Sequence, residues 1–351
     1  MGNNVTAKVT TKVRKPQPTL YDVCRLSGVS TATVSRVFSG TARVSEEVRA
    51  RVMNAANDLS YAPSHSARSL AARRTNTIGT IFPEIANGFY ADILAGIDEV
   101  AAENQFDVLA AFVGTRRSRS QLIDRFSKEG RVDALLLMNL DNASDLAPET
   151  MQQIPIVLID RGINGTELPA VGIDNVSGAE AMVEHFFEQG HRRIAVLTGP
   201  VENYDSSQRL LGCEQAMSRL GLSQDPKLVW RGDFTMDSGT RAAREHLRSG
   251  DALPDAIFCF NDAMAIGMLN EFDRAGIHAP DNVAVGGFDD VEAAEHLSLT
   301  SVSCPMRLMG QMAAQWAIEL VTTNVKPVSH RLQVRLTVRR SSGPRNSGLR
   351  R

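Results

Sequence analysis

Cysteine is scarce in this 351-residue chain, and its four occurrences, Cys24, Cys213, Cys259 and Cys304, lie far apart without a CxxC pair. That spacing argues against a zinc site or a disulfide framework, and each thiol reads as a small buried hydrophobe in a reducing compartment. Long apolar runs are missing too: nothing approaches the roughly 20 residues that span a bilayer. The first 18 residues carry Lys8, Lys12, Arg14 and Lys15 but not the apolar core of a secretion signal. A cytoplasmic protein without membrane association is expected. Catalytic signatures are equally absent. There is no Gly-x-Ser-x-Gly elbow, no P-loop, no His-Glu-x-x-His pair and no GxGxxG after a strand, so neither catalysis nor a metal or organic cofactor is expected.

With 43% hydrophobic and 22% charged residues, the composition is that of a folded chain large enough for two or three packed units. The net charge of −2 conceals an asymmetry. Residues 1–74 hold 12 Lys and Arg against 4 Asp and Glu, while the remainder holds 26 against 36. A head of +8 on a body of −10 is the footprint expected of a nucleic-acid binder, because clustered cations displace counterions condensed on phosphates. A solvated basic tail would give the same count.

Local pattern separates the two readings. Residues 1–18 lack helical periodicity and read as a flexible basic arm. From Thr19 to Tyr61 three short helical patterns follow, each opened by a hydroxyl suited to an N-cap: Thr19 before residues 20–27, Ser30 before 31–38, and Ser45 before 46–59. Leu20, Val23, Cys24, Gly28, Val29, Val34 and Val37 have the spacing of a helix-turn-helix. Gly28 permits the tight turn, and the valines lock the second helix across the first. Thr31, Ala32, Thr33, Ser35 and Arg36 are then left outward, near the start of the helix that such motifs lay in the major groove. The Arg36 fork fits the O6 and N7 of guanine, Thr31 and Ala32 suit a thymine methyl, and Thr33 and Ser35 suit phosphates. Thr19, Tyr21 and Ser30 join them as candidate DNA contacts.

This helix-turn-helix domain is assigned to residues 19–62, followed by a hinge helix and linker at 63–76 that include an Ala-rich helical pattern. Beyond it the period changes. Apolar runs at residues 78–82, 108–113, 134–138, 156–159, 194–197, 228–230, 256–260 and 283–287 alternate with helical stretches. That alternation implies parallel sheets built of βαβ units. An irregular segment around residues 170–175 breaks the rhythm, with roughly four units on each side. Two lobes are expected, a single sheet of eight or more strands being the alternative. The body is assigned to residues 77–340, with a last strand near 332–339 and a disordered tail at 341–351. The tail lacks leucine heptads, which favours a dimer over a tetramer.

The stretch TLYDVCRLSGVSTATVSRVFSG, residues 19–40, resembles the DNA-binding head of the lactose-repressor family (LacI/GalR). VSEEVR, LSYAPSHSARSLAARRTNTIG, IDRGI, GHRRIAVLTGP, FNDAMAIG and VGGFDD extend the resemblance to about residue 340. The family's fold is an all-α helix-turn-helix head on a two-lobed α/β core with parallel sheets, similar to periplasmic binding proteins. The resemblance implies a hinge helix at residues 64–71, with Leu70 as a wedge in the minor groove and Ala67 facing its twin across a homodimer. Apolar wedges do unstack and bend DNA, although composition alone says only that Leu70 is an apolar residue on a short helix. Also implied is a repressor of a carbohydrate-utilisation operon that binds a pseudopalindromic double-stranded operator under control of a small effector.

In open α/β sheets, ligands bind beyond the carboxyl ends of the strands. Phe89, Tyr90, Asp160, Asp205, Arg209, Phe234, Asn261 and Asp289 fall at those ends and come from both halves. By the resemblance, Arg209, Asn261 and Asp289 match effector-binding positions. A guanidinium, an amide and carboxylates offer donors and acceptors to a polyol, with aromatic faces for its apolar side. A sugar or sugar derivative is therefore expected ahead of a purine or nucleoside. Blander roles compete: Asp205 and Arg209, four apart, fit a helix pair, Phe89 and Phe234 fit interlobe core, and Asp160 fits a turn cap. An exported solute-binding protein or an enzyme on the same fold is the alternative of a different class.

Overall fold

The computed structural model describes residues 18–39, 44–61, 74–83, 88–113, 118–138, 146, 148–160, 167–323 and 325–344. Ala67 and Leu70, with the rest of the expected hinge helix, lie outside the described residues. The chain divides into two units, Met1–Thr75 and Asn76–Arg351.

The first unit contains α1 (Leu20–Ser27), α2 (Thr31–Ser39) and α3 (Glu46–Asp58). Thr19 opens α1 by donating from its backbone amide and its hydroxyl to the Asp22 carboxylate, at 2.9 and 2.8 Å. This holds the Asp22 carboxyl below the usual carboxylate range. Gly28 ends the helix in the left-handed region at φ 69°, with its amide donating to the Cys24 carbonyl; a Cβ there would be strained. The three helices close on Val23, Val34, Val37, Val52, Ala55 and Ala56. The valines that set the motif's spacing are thus its core.

The second unit holds two six-stranded sheets. In the first lobe β1 (Thr77–Phe82), β2 (Asp107–Phe112), β3 (Ala134–Met138), β4 (Ile156–Ile159), β5 (Ala170–Ile173) and β11 (His330–Leu332) run in the order β11-β5-β4-β3-β1-β2, all parallel. The second lobe takes β6 (Ile194–Thr198), β7 (Val229–Arg231), β8 (Ala256–Cys259), β9 (Ala284–Asp289), β10 (Thr300–Ser303) and β12 (Arg335–Thr337). Their order is β12-β10-β9-β8-β6-β7, with only β12 antiparallel. Helices on both faces bury the strands, so β1, β3, β4, β8 and β9 are unbroken buried runs without polar alternation.

Three expectations need correction. The segment at 170–175 is not an irregular break: residues 170–173 form β5, paired with β4 and β11 and buried throughout. Its four residues, after Pro169, are too short to register as a periodic run. The last strand near 332–339 is two short strands in different sheets. The tail does not begin at Ser341: Ser341 and Ser342 are buried, with Ser341 Oγ accepting from the Thr300 amide at 2.8 Å and donating to the Val285 carbonyl at 2.6 Å. Polar residues that satisfy buried backbone groups look, by composition, like a solvated tail.

After β10 the chain returns to the first lobe through α12 (Met306–Thr322), which packs along α4 (Gly88–Glu103) and against β3, β4 and β5. The two helices meet at backbone distance. A Cβ on Gly310 would collide with the Ile93 carbonyl oxygen, and one on Gly96 with that of Arg307. Gly310→Ala is expected to cost about 1–3 kcal/mol of stability by overpacking, seen as a lowered Tm; an unchanged Tm would contradict this close approach.

Asp262 begins α10 (Asp262–Arg274) and is fully buried. Its carboxylate accepts from the Ser301 hydroxyl at 2.6 Å and the Val291 amide at 2.9 Å, tying α10 to β10 and the end of β9. Burial outweighs these hydrogen bonds and pushes the carboxyl up to about 7 from 3.8. The folded state therefore holds this proton between those values while the unfolded state has lost it, so the contribution of Asp262 to stability falls as pH rises from about 4 through about 7. Asp262→Asn, whose amide can serve both partners, should flatten that part of the stability–pH curve, measured by denaturant unfolding. A slope identical to that of the unsubstituted protein would refute the assignment.

Candidate functional site

In the head, Ser30 precedes α2 and its hydroxyl lies 2.9 Å from that of Thr33, whose amide it also accepts at 3.3 Å. That cap fixes the start of α2. Thr31, Ala32 and Arg36 are exposed, Thr33 and Ser35 half-buried, while Val34 and Val37 face the core. Thr19 is exposed before α1, and Tyr21 is 74% exposed, large for an aromatic with only packing to do. Every described member of the candidate DNA-contacting set thus has at least part of its surface in solvent.

The eight candidate ligand residues converge on one cavity of about 260 Å³ in the second unit. Phe89 and Tyr90 come from α4, and Asp160 follows β4. The second lobe supplies the rest: Asp205 and Arg209 from α8 (Tyr204–Arg219), Phe234 from the turn after β7, Asn261 from the N-cap of α10, and Asp289 from the end of β9. Parallel strands deliver their carboxyl ends to a common edge, so residues distant in sequence meet there. Phe89 and Tyr90 form a T-shaped pair with centroids 5.4 Å apart, and Tyr90 also packs on Phe82 at 5.9 Å. The backbone is strained around the cavity: Asp160, Phe234 and Asp289 adopt φ of 56°, 68° and 112°. Such conformations in residues with a Cβ persist where surrounding contacts impose them, and they cluster at functional sites. Phe234 lies directly over Gly199, where a Cβ would strike its ring.

Arg209, 3% exposed, is the electrostatic centre. Its Nε donates to the Asn175 side-chain oxygen at 2.8 Å, and Nη1 donates to the Phe260 carbonyl and stands 3.9 Å from the Asp289 carboxylate. The guanidinium carbon sits 3.7 Å above the Phe288 ring. Asn175 completes the bridge by donating to Asp205 at 2.7 Å. Asn261 is occupied at both ends, accepting from the Met264 amide and donating to the Phe234 carbonyl, each at 2.9 Å. It therefore caps α10 and holds Phe234 in its strained turn. Asp160 and Asp289 are each 6% exposed, and burial pushes both carboxyls well above the usual carboxylate range. Repulsion from Asp205 adds to the effect, while Arg209 opposes it.

Asn175, Arg119 and Asp233 are site residues that the sequence reading missed. Arg119 and Asp233 line the cavity, and Asn175 stands behind it as the bridge just described. Asn175 lies two residues past β5, so reading residues 170–173 as a strand would have placed it at a strand's carboxyl end with the others. The arrangement can hold a small polar molecule between two lobes. Among the described residues no cluster of His, Cys, Asp or Glu has a metal-binding arrangement, and no helix is long and apolar enough to cross a membrane.

Residues 19–64 match the family described as bacterial regulatory proteins, lacI family, and residues 183–342 match the periplasmic binding protein-like domain. The chain is 33% identical over 320 residues to the HTH-type transcriptional repressor PurR of Photobacterium profundum, covering 90% of this chain and 94% of that protein. Among solved structures, a transcriptional regulator CelR–cellobiose complex is 34% identical, with a TM-score of 0.68 over 92% of this chain and 99% of that one. The Lac repressor dimer bound to operator and the anti-inducer ONPF is 26% identical, with a TM-score of 0.80 over 93% and 100%. By sequence and by fold the chain belongs to the LacI family of bacterial regulatory proteins, and it is a ligand-responsive, DNA-binding transcription regulator rather than an enzyme.

Proposed function

We propose that the protein is a cytoplasmic repressor of a carbohydrate-utilisation operon, binding a pseudopalindromic operator as a homodimer and changing its grip when a small sugar-like effector enters the cleft. The observation that carries this reading is the joining of an exposed, capped helix-turn-helix to a buried polar cavity lined from two lobes. Arg36 reads a guanine edge, Thr31 and Ala32 meet thymine methyls, and Thr19, Tyr21, Ser30, Thr33 and Ser35 hold phosphates. Ala67 and Leu70, outside the described residues, are assigned by the resemblance to the paired hinge contact and the minor-groove wedge.

In the cleft, Asp160, Asp205, Arg209 and Asp289 hydrogen-bond the effector's hydroxyls. Phe89, Tyr90 and Phe234 cover its apolar face, and Asn261 keeps Phe234 in place. A ligand bridging the lobes favours one lobe angle, and it shifts operator affinity only by its differential affinity for the two arrangements.

Two substitutions test the reading on an operator selected from a random DNA pool. Arg36→Ala should lose about 1–3 kcal/mol of discrimination at one guanine per half-site; equal losses on operator and random DNA would demote Arg36 to a phosphate contact. Arg209→Ala, checked for a native circular-dichroism spectrum, should bind the operator with unchanged Kd but cease to respond to effector. An intact response in that variant would place the sensing site elsewhere.

A further inference from the structure

Asn175 stands behind the cavity wall, 3% exposed, and its side-chain amide is engaged by two residues that line the cleft. Nδ2 donates to Asp205 Oδ1 at 2.7 Å, and Oδ1 accepts from Arg209 Nε at 2.8 Å. An amide so held has one orientation, because exchanging its oxygen and nitrogen would set donor against donor and acceptor against acceptor. Any ligand that draws on Asp205 and Arg209 therefore draws on Asn175.

The backbone of Asn175 belongs to a different part of the machinery. It is the first residue of α7 (Asn175–Glu188), which packs on the second sheet, and only Asp174 separates it from β5 in the first. The chain thus passes from lobe to lobe at the residue before it. The other two passages, between β10 and α12 and between β11 and β12, meet the same turn. The Asp174 amide donates to the Leu332 carbonyl at the end of β11, at 2.9 Å, while the Asp174 carboxylate caps α7 by accepting from the Ser177 amide and hydroxyl at 3.2 and 2.7 Å. Gly178 follows, and a Cβ there would stand 2.9 Å from Val302 of β10, from Val334 between β11 and β12, and from the Phe288 ring. That ring is the one beneath the Arg209 guanidinium. Gly212 of α8 lies so close to the Val176 carbonyl that a Cβ would collide with it. The start of α7 is thereby packed without slack against the helix that carries Asp205 and Arg209 and beside all three crossings, and close-packed contacts transmit displacement.

Resting on the reading of this cleft as the sensing site, we propose that Asn175 is the positioning residue that couples occupancy of the cleft to the arrangement of the two lobes. An effector that hydrogen-bonds Asp205 and Arg209 resets the two groups that Asn175 bridges. The asparagine follows them and shifts the first turn of α7 against the crossings. Asn175 acts through Asp205 and Arg209, not by touching the effector, so its contribution lies in the difference between the two lobe arrangements, which is the quantity that sets the response.

The test separates affinity from response in the full-length protein. Glucose, galactose, ribose, cellobiose, glucose 6-phosphate, adenine and adenosine are screened by thermal shift, and the compound with the largest shift serves as probe. Kd for the pool-selected operator is measured without the probe and at its saturation, the saturating concentration being set for each variant by titration calorimetry. The probe should change the operator Kd of the unsubstituted protein about fivefold or more. Asn175→Ala, folded with a cooperative transition, should bind the probe yet change its operator Kd less than about twofold. A residue that only stabilises the fold would lower Tm or weaken the probe without moving that ratio at saturation. Asn175→Ser replaces the alanine variant if the latter does not fold, since its short hydroxyl cannot span both partners. On the unsubstituted protein, hydrogen exchange over residues 172–178 and 330–336 should change together when the probe saturates, and this decides the matter alone if neither variant folds. A variant ratio equal to the unsubstituted one, loss of all probe binding in the variant, or unaltered exchange in both segments would each overturn the coupling role and leave the sensing reading standing. An unsubstituted protein that binds none of the compounds, or whose operator Kd ignores the bound probe, would instead sink the sensing reading and the role of Asn175 with it.

Discussion

The burial of one guanidinium among carboxylates is the constraint around which the second unit is arranged. An ion at 3% exposure survives only if paired and hydrogen-bonded, since removing one partner of such a set typically costs about 3–5 kcal/mol. Arg209 obtains its partners from three places in the chain: the Asn175 amide, the Phe260 carbonyl, and the adjacent Phe288 ring and Asp289 carboxylate. Each stands at or near the carboxyl end of a strand or the start of the following helix. The strained φ at Asp289 accompanies this convergence, bringing its side chain to the cavity wall. Asp160 then brings the first lobe into the same electrostatic set.

The chain's path gives that set mechanical leverage. Because α12 and β11 return to the first lobe before β12 re-enters the second, the lobes are joined by three crossings rather than one. A single linker would let the lobes tumble. Three crossings restrict relative movement of the lobes far more than one would, which favours a few discrete arrangements on which a bound ligand can act. The glycine contact between α4 and α12 fixes that return helix to the first lobe at backbone distance.

How much of this was legible depended on the kind of signal. The head was read to within a residue or two because its helix starts, its turn glycine and its valine spacing are local features that α1, α2 and α3 reproduce, although Ser45 precedes α3 without the side-chain cap bond expected of it. Strands buried on both faces announced themselves as apolar runs. β10 did not, since Thr300 and Ser301 are buried polar residues satisfied by Arg339, Ser341 and Asp262, far off in sequence. The α12 contact was invisible for a related reason: its buried face mixes Met306, Met309 and Ile318 with Gly310, Ala313, Ala314 and Ala317, and the close approach to α4 is made at Gly310, which carries no periodic weight. The candidate cavity residues were found from strand ends alone. Asn175 was lost with the misread β5, and the bond network that makes Asn261 a prop for Phe234 exists only in three dimensions.

Effector and operator must be thermodynamically linked if the cleft controls the head, and linkage is reciprocal. The direct measurement is a pair of titrations on the intact protein: operator Kd with and without the metabolite that gives the largest thermal shift, and that metabolite's Kd with and without operator. The account predicts that both ratios depart from one and are equal. A metabolite that binds with the same Kd whether or not operator is present would contradict it.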